Sequence, residues 1–350
     1  MKRTILYIGP APQNIGGISI HIRRLANLLK DNYEVDYIDE GHVRYEGVFN
    51  LRTINIFKYL KKIINADIVH IHSGIWILRA FHIIVCKLLL RKRVLVTIHR
   101  DPTIEPHTSL TKWLLSKCDY AILVNSKGYD AMCKPVKCQY LMLPAFLPPI
   151  MEDEPFLPDE IVNWLNMARK NQGYIMCSNA WNLVLHNGKD LYGIDLCIDA
   201  MRELKNESIK YYLIFVVASN TEQQERMETY KKTIIEEGLE KRILIWEQPT
   251  SFVRLVQESD LVLRTTNTDG DAISIREALY LGTSVLASDV VARPEGTHLF
   301  STRDCPDLIK QIKTLSLNLD NKSSNTLTDY REIYKKIYNN GRINSEAIKR

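Results

Sequence analysis

Two hydrophobic rhythms alternate along the chain. Short apolar runs occur in the first half at 4–8, 34–38, 67–72, 93–99, 120–124 and 139–143, with segments such as ILYI, VLVTI and AILV. A strand that is wet on one face alternates polar and apolar residues; a run without alternation predicts a strand covered on both faces. Between these runs the apolar period lengthens. Ile18, Ile22, Leu25 and Leu29 recur at helical spacing, and 55–65 and 75–90 read as two further amphipathic helices. A parallel sheet with helices on each side is the expected result.

From 143 to about 171 the rhythm breaks into a proline-rich, acidic stretch, PAFLPPIMEDEPFLPDE, before a polar helix. Proline removes a backbone donor and fixes the chain angle, so this stretch predicts an interdomain connection. The α/β rhythm then resumes, with strands at 174–178, 211–217, 243–246, 260–264 and 284–288. Helices are expected at 194–205, 222–237, 250–258, 274–281 and 306–316, and a last one at 328–339. The reading is therefore two doubly wound α/β domains, 1–147 and 172–320, joined by a linker at 148–171. The final helix, about 328–340, is expected to pack back on the first domain. Sheets of this kind place ligands at the carboxyl ends of their strands.

Size and composition agree with two domains. The chain has 350 residues, whereas one core rarely grows beyond about 250–300. It is 45% hydrophobic and 25% charged, which leaves only the polar stretches at 318–326 and 340–350 as candidates for disorder. The net charge of +5, from 46 basic and 41 acidic residues, suits an anionic ligand or membrane surface but not a nucleic-acid partner. Seven cysteines without a C-x-x-C pair predict free thiols in a reducing cytoplasm and argue against a zinc site. MKRTILYIGPAP reads as a first strand, not a signal peptide. The apolar region 75–90 is interrupted by Arg79, His82 and Lys87, so it does not predict a spanning helix.

Four places could carry chemistry. The loop containing Gly16 and Gly17 follows a strand and opens a helix, where bare backbone N–H groups can meet an anion. It lacks both the dinucleotide and the P-loop fingerprints. His70 and His72 share one face of a strand, but no third metal ligand is evident. His99 follows an apolar strand. The fourth place is the run from Asp260 to Gly282, in which a strand enters a polar loop and then a helix. Ser274 and Glu277 form S-x-x-E, which as a capping box would make Glu277 purely structural, and Gly282 suits a helix C-cap. Against the structural reading, Asp269 and Asp271 lie in the loop with Arg264 and Arg276 on either side. Carboxylates accept from sugar hydroxyls, while guanidinium groups and a helix N-terminus suit a diphosphate. Asp269-Gly270-Asp271 also matches the short D-x-D of metal-dependent transferases; hydrogen bonding is the preferred role.

At these residues the sequence resembles the retaining family 4 glycosyltransferases, which have the GT-B fold: two Rossmann-like doubly wound domains facing a central cleft. The likeness covers nearly the whole chain. It runs through Gly16-Gly17, DIVHIHSG, VLVTIHR, YAILVNSKGYDAM and YGIDLCIDAM. It is most specific at TDGDAISIREALYLGTSVLASDVVARPEG, which resembles the E-x7-E donor signature and the segment after it. The resemblance implies that Glu277 binds the donor ribose and that Asp269 contacts the transferred sugar. It brings backbone N–H groups from Gly270, Asp271, Ala272 and Ile273 to sugar and phosphates. It places His99 near the transferred sugar and Gly16 and Gly17 near the diphosphate.

Two departures stand out. Tyr192 occupies the position of the family's phosphate-binding lysine, and its partner arginine has no counterpart in 179–188. The cations available for the diphosphate are then Lys189, Arg264, Arg276 and Arg293, with Arg264 favoured. The resemblance implies a cytoplasmic transferase that moves a sugar from a nucleoside diphosphate sugar to a saccharide or lipid-linked acceptor in bacterial polysaccharide or glycolipid synthesis. No metal or other cofactor is expected. The basic, apolar stretch 75–93 suggests peripheral membrane contact. A sugar-nucleotide epimerase or hydrolase and a catalytically silent binding subunit are the alternatives.

Overall fold

Strands built from unbroken apolar runs need cover on both faces, and two sheets receive it. The computed structural model describes residues 2–13, 16–100, 102–124, 126–132, 139–219, 223–270, 272–318 and 327–339. The chain divides into two units, Met1–Leu147 with Asp329–Arg350, and Pro148–Thr328.

The first unit holds β1 (Arg3–Gly9), β2 (Tyr33–Asp39), β3 (Phe49–Asn50), β4 (Ile68–Ile71), β5 (Arg93–Ile98), β6 (Tyr120–Leu123) and β7 (Gln139–Met142). Their order is β3-β2-β1-β4-β5-β6-β7, and every pairing is parallel. α2 (Ile56–Asn65), α3 (Trp76–Ile83) and α4 (Thr108–Leu115) pack on the core formed by Leu6, Ile8, Val69, Val94 and Val96. α1 (Gly17–Leu29) and α12 (Arg331–Tyr338) cover the opposite face around Ile5, Tyr7 and Ile68. α5 (Ser126–Met132) precedes β7. The stretch expected as one helix over 75–90 is α-helical to Ile83 and widens into a π-helix over Ile84–Leu89.

α12 belongs to the first unit because its apolar side is sealed there. Tyr334, Ile337 and Tyr338 are fully buried. The Arg93 guanidinium donates to the carbonyls of Ile337 and Tyr338, filling acceptors that a helix C-terminus leaves open and opposing its negative dipole end.

The second unit holds β8 (Tyr174–Asn182), β11 (Tyr211–Ser219), β12 (Ile243–Trp246), β13 (Leu261–Arg264), β14 (Ser284–Ser288) and β15 (His298–Phe300), all parallel, in the order β12-β11-β8-β13-β14-β15. α7 (Ile194–Glu203), α8 (Gln224–Glu236) and α11 (Cys305–Leu317) cover one face. α6 (Asp159–Lys170), α9 (Phe252–Gln257) and α10 (Ile273–Leu281) cover the other. The segment expected as a linker over 148–171 is thus partly built into this core, since α6 buries Ile161, Leu165 and Ala168. A hairpin of β9 (Leu185–His186) and β10 (Lys189–Asp190) follows β8. Its turn residues Asn187 and Gly188 both have positive φ, 52° and 74°, the conformation that Asn-Gly turns favour.

Each sheet reverses strand order next to its first strand, between β1 and β4 and between β8 and β13. Such switch points are where doubly wound sheets open to ligands. Among the described residues no helix is long and apolar enough to cross a membrane. Cys86, Cys118, Cys177 and Cys197 are buried free thiols and Cys305 is partly exposed; Cys133 and Cys138 lie outside the described residues. So do nearly all of the stretches expected to be disordered.

Candidate functional site

β13 is an apolar run that ends in a charge. Leu261, Val262 and Leu263 are buried, and Arg264 emerges at the carboxyl end. Its guanidinium forks onto Asp269, with Nε to Oδ2 and Nη2 to Oδ1 both 2.9 Å. Arg293, from the loop after β14, donates Nη1 to Asp269 Oδ2 at 2.8 Å. The Thr266 hydroxyl donates to the same oxygen at 3.1 Å, and the Gly270 N–H meets Oδ1 at 2.9 Å. Burial alone would raise this carboxyl. The charge and hydrogen bonds of Arg264, then those of Arg293, overcome that and hold it well below the usual carboxylate range. The carboxylate expected to meet sugar hydroxyls is therefore engaged within the loop, where it fixes two arginines and the Gly270 backbone.

This geometry separates the four expected cations. Arg293 is enclosed, and its remaining donors reach the Ser288 carbonyl and the hydroxyls of Ser288 and Thr266. Arg264 keeps a looser edge: Nη1 lies 3.5 Å from Oδ1 of Asn179 on β8, and the guanidinium sits 5.3 Å from the centre of the Tyr192 ring. Tyr192 stands where the resemblance calls for a lysine. The structure thus brings an arginine from a different strand over that position. Arg276 lies on α10, partly buried. Lys189 lies on the β9–β10 hairpin and lines a cavity of about 990 Å³ with Arg226 and Arg303.

The next helix begins without a side-chain cap. Ala272 is the N-cap of α10, in extended conformation, and Ile273 is the first helical residue. Ser274 lies inside the helix, so the S-x-x-E pair is not a capping box. Glu277 stands one turn further on, buried at 3% exposure. Gly282 ends the helix at φ 78°, the left-handed C-cap anticipated from the sequence. Asp271 lies outside the described residues.

Sequence reasoning missed Asp190. Its Oδ1 accepts from the N–H groups of Tyr192, Gly193 and Ile194 at 3.0, 2.8 and 3.3 Å, so a carboxylate already occupies the N-terminus of α7. Burial and then the charge of Asp195 raise this carboxyl, and the three backbone bonds oppose them. The signal was Asp-Leu-Tyr-Gly directly before a helical period, an Asx-type turn. Gly193 has φ 74°, and a Cβ there would meet the Thr265 carbonyl oxygen at 2.4 Å. α7 and the end of β13 therefore touch through backbone.

In the first unit, Gly16 is the N-cap of α1, also without a side-chain cap. A Cβ on Gly16 would meet nothing within 4 Å, so the space beside it is open. Gly17 is the first helical residue. Below them lies a group of histidines. His99, at the end of β5, pairs its Nε2 with His72 Nδ1 at 3.1 Å. His21, from α1, has its ring centre 5.5 Å from both. His70 packs 4.0 Å from His72 and bonds the Tyr338 and Thr97 hydroxyls at 2.5 and 2.8 Å.

Burial is the largest cause lowering all four rings. His21 falls to about 4, and His70, His72 and His99 lie well below the ordinary histidine range. They are neutral hydrogen-bonding rings at neutral pH. Among the described residues no group of three or more His, Cys, Asp or Glu side chains is arranged to hold a metal ion. The histidines and Gly16 stand in one unit and the 264–277 loop and helix in the other.

No protein-family model matches the sequence, and no curated protein is similar to it in sequence. Solved structures are similar over almost its whole length. HepE from Anabaena in complex with UDP is 15% identical, with 99% of this chain and 97% of that chain covered and a TM-score of 0.65. Sucrose-phosphate synthase from Thermosynechococcus elongatus is 15% identical over 99% and 96%, with a TM-score of 0.63. A glycosyltransferase from Rickettsia africae is 16% identical over 97% and 100%, with a TM-score of 0.66. The chain has the GT-B fold. At these identities the shared property is architecture. Within the GT-B frame, both candidate groups sit at carboxyl edges of parallel strands beside a switch point.

Proposed function

We propose that this GT-B protein is a retaining glycosyltransferase that moves a sugar from a nucleoside diphosphate sugar to an acceptor hydroxyl. The observation that carries the reading is the α10 entrance: a helix N-terminus without a side-chain cap, Arg264 held beside it by Asp269, and a buried Glu277 one turn inside. The first feature suits phosphate oxygens, the second supplies a fixed positive charge, and the third suits a ribose diol. HepE, bound to UDP and in another structure to UDP-glucose, is similar in fold, which supports a nucleotide sugar as the donor.

In this reading the sugar C1–phosphate oxygen bond breaks as the acceptor oxygen bonds C1 on the same face. The acceptor proton passes to the departing phosphate oxygen, and no side chain becomes glycosylated. The negative charge that grows on the diphosphate meets Arg264 and the α10 N–H groups, so charge stabilisation needs no metal. Asp269 acts by holding Arg264 and the Gly270 backbone. The acceptor is a saccharide or lipid-linked saccharide of a bacterial surface-polymer or glycolipid pathway.

Thermal-shift screening against a panel of nucleoside diphosphate sugars, followed by calorimetry, tests the donor site. Glu277→Ala should lower donor affinity by at least about 10-fold, the loss of about 1.4 kcal/mol from charged hydrogen bonds. Unchanged affinity in a folded variant rejects the role. Mass analysis with and without acceptor saccharides separates transfer from the rivals. Free sugar or an epimer without acceptor indicates a hydrolase or epimerase; binding without turnover indicates a silent subunit.

A further inference from the structure

The helices over one face of the first unit are apolar on both sides. α2 buries Tyr59 and Ile63, yet Phe57 and Ile64, two turns apart, stand outward, Phe57 at 87% exposure. α3 and its π continuation bury His82, Ile83 and Cys86, while Ile77, Phe81 and Leu88 line the outer side. α4 buries Leu114 and Leu115 and exposes Trp113 at 48%. The helices are neighbours. The Tyr59 and Phe81 rings are 5.7 Å apart, and the Trp76 ring lies 5.2 Å from that of His107 at the start of α4. Ordinary surface helices keep one polar face; these place three apolar stripes side by side.

Their charge is one-sided. α2, α3, the π-helix and α4 contain no Asp or Glu. Lys62, Arg79 and Lys87 are drawn to Asp36, Glu105 and Asp119. Lys58, Lys61 and Lys117 remain exposed among the apolar stripes, with the Lys117 ammonium 5.3 Å from the centre of the Trp113 ring. Apolar surface of this extent marks an interaction site. Protein partners tend to avoid lysine at such faces, whereas aromatic and aliphatic side chains mixed with lysine and free of acid suit an anionic bilayer.

We propose that the outer face of α2, α3 and α4 docks on an anionic membrane surface. Phe57, Phe81, Leu88 and Trp113 enter the boundary between headgroups and acyl chains, and Lys58, Lys61 and Lys117 meet lipid phosphates. The surface extends beyond the 75–93 stretch visible in the sequence. It does not depend on the transfer reaction, and its test contains no nucleotide sugar.

The test is flotation of the full chain with two kinds of vesicle at low salt: phosphatidylcholine alone, and an equal mixture of phosphatidylcholine and phosphatidylglycerol. The chain should float with the mixture only, and added salt should release it. The double substitution Phe57→Asp with Trp113→Asp should reduce partitioning at least about 10-fold, with circular dichroism and thermal melting confirming the fold. Lys58→Glu with Lys61→Glu, both at exposed positions, gives a second folded variant that should also lose binding. The proposal is overturned if the wild-type chain stays at the bottom with anionic vesicles, or if these variants float as well as the wild type. It is also overturned if light scattering finds a dimer that the double variant dissociates and vesicles are not bound, because the face then belongs to a second copy.

Discussion

Replacing Asp269 with Asn keeps the shape of the side chain and removes the charge between two guanidinium groups. The side chains of Arg264, Arg293 and Asp269 are 12%, 2% and 8% exposed, so solvent screens this triad little. Taking one partner from a buried ion pair costs about 3–5 kcal/mol, because the remaining charge stays desolvated; an exposed pair would cost about 0–1 kcal/mol. For a urea slope near 2 kcal/mol per M, the second unit's midpoint should fall by about 1.5–2.5 M. Equilibrium unfolding followed through Trp164, Trp181 and Trp246 reads that unit. The pH dependence supplies a further check. A carboxyl whose folded pKa is depressed stabilises fully above its unfolded value, about 3.9, and loses that contribution as pH falls towards the folded value. The gap between wild type and Asp269→Asn should therefore be constant near neutrality and shrink below about pH 4. A midpoint shift under about 0.5 M, or a gap indifferent to pH, refutes the clamp and returns Asp269 to the sugar.

Two further outcomes are expected. His21 is held at about 4 against an ordinary 6.5, so an unfolded chain takes up a proton that the folded one refuses; stability is full above about pH 6.5 and declines below it, by about 3 kcal/mol for this ring once pH passes its folded value. Thermal melts of wild type and His21→Gln between pH 7 and 4, read through Trp76 and Trp113, should converge as pH falls, and parallel curves would show that the ring is accessible to protons. Gly193→Ala should cost at least about 2 kcal/mol from the left-handed backbone and the 2.4 Å approach to Thr265, whereas Gly16→Ala, with open space around it, should leave the urea midpoint unchanged; the reverse ranking would contradict both readings.

The parallel sheets were readable because burial on both faces removes alternation, as in Val94, Leu95 and Val96. β15 was not readable: it is three residues long, and His298 and Leu299 are exposed. α4 escaped because its outward Leu110 and Trp113 blur the period that Leu114 and Leu115 set on the inner side. The hairpin at 185–190 was visible in principle through Asn187-Gly188, but its strands are too short to show alternation. In the candidate site, the strand–loop–helix order around Arg264 and Glu277 was legible because it is local. The grip of Arg293 on Asp269 spans 24 positions and depends on how β13 and β14 pair. Likewise His70 and His72 were noticed, but not their company, since His21 and Tyr338 come from α1 and α12.

The return of α12 to the first unit bears on the order in which the protein is completed. Ribosomal synthesis releases β4, with His70 and its inward ring, long before Tyr338 arrives to meet it. Until then the sheet of the first unit has one side that lacks the Tyr334, Ile337 and Tyr338 cover, and the whole of 148–328 must emerge in the interval. A nascent chain in that state exposes apolar surface and a His70 ring bonded to Thr97 but still without its Tyr338 partner. The first unit becomes finished only after the second has been made, so arrest between 318 and 338 should leave a species that chaperones hold and proteases cut.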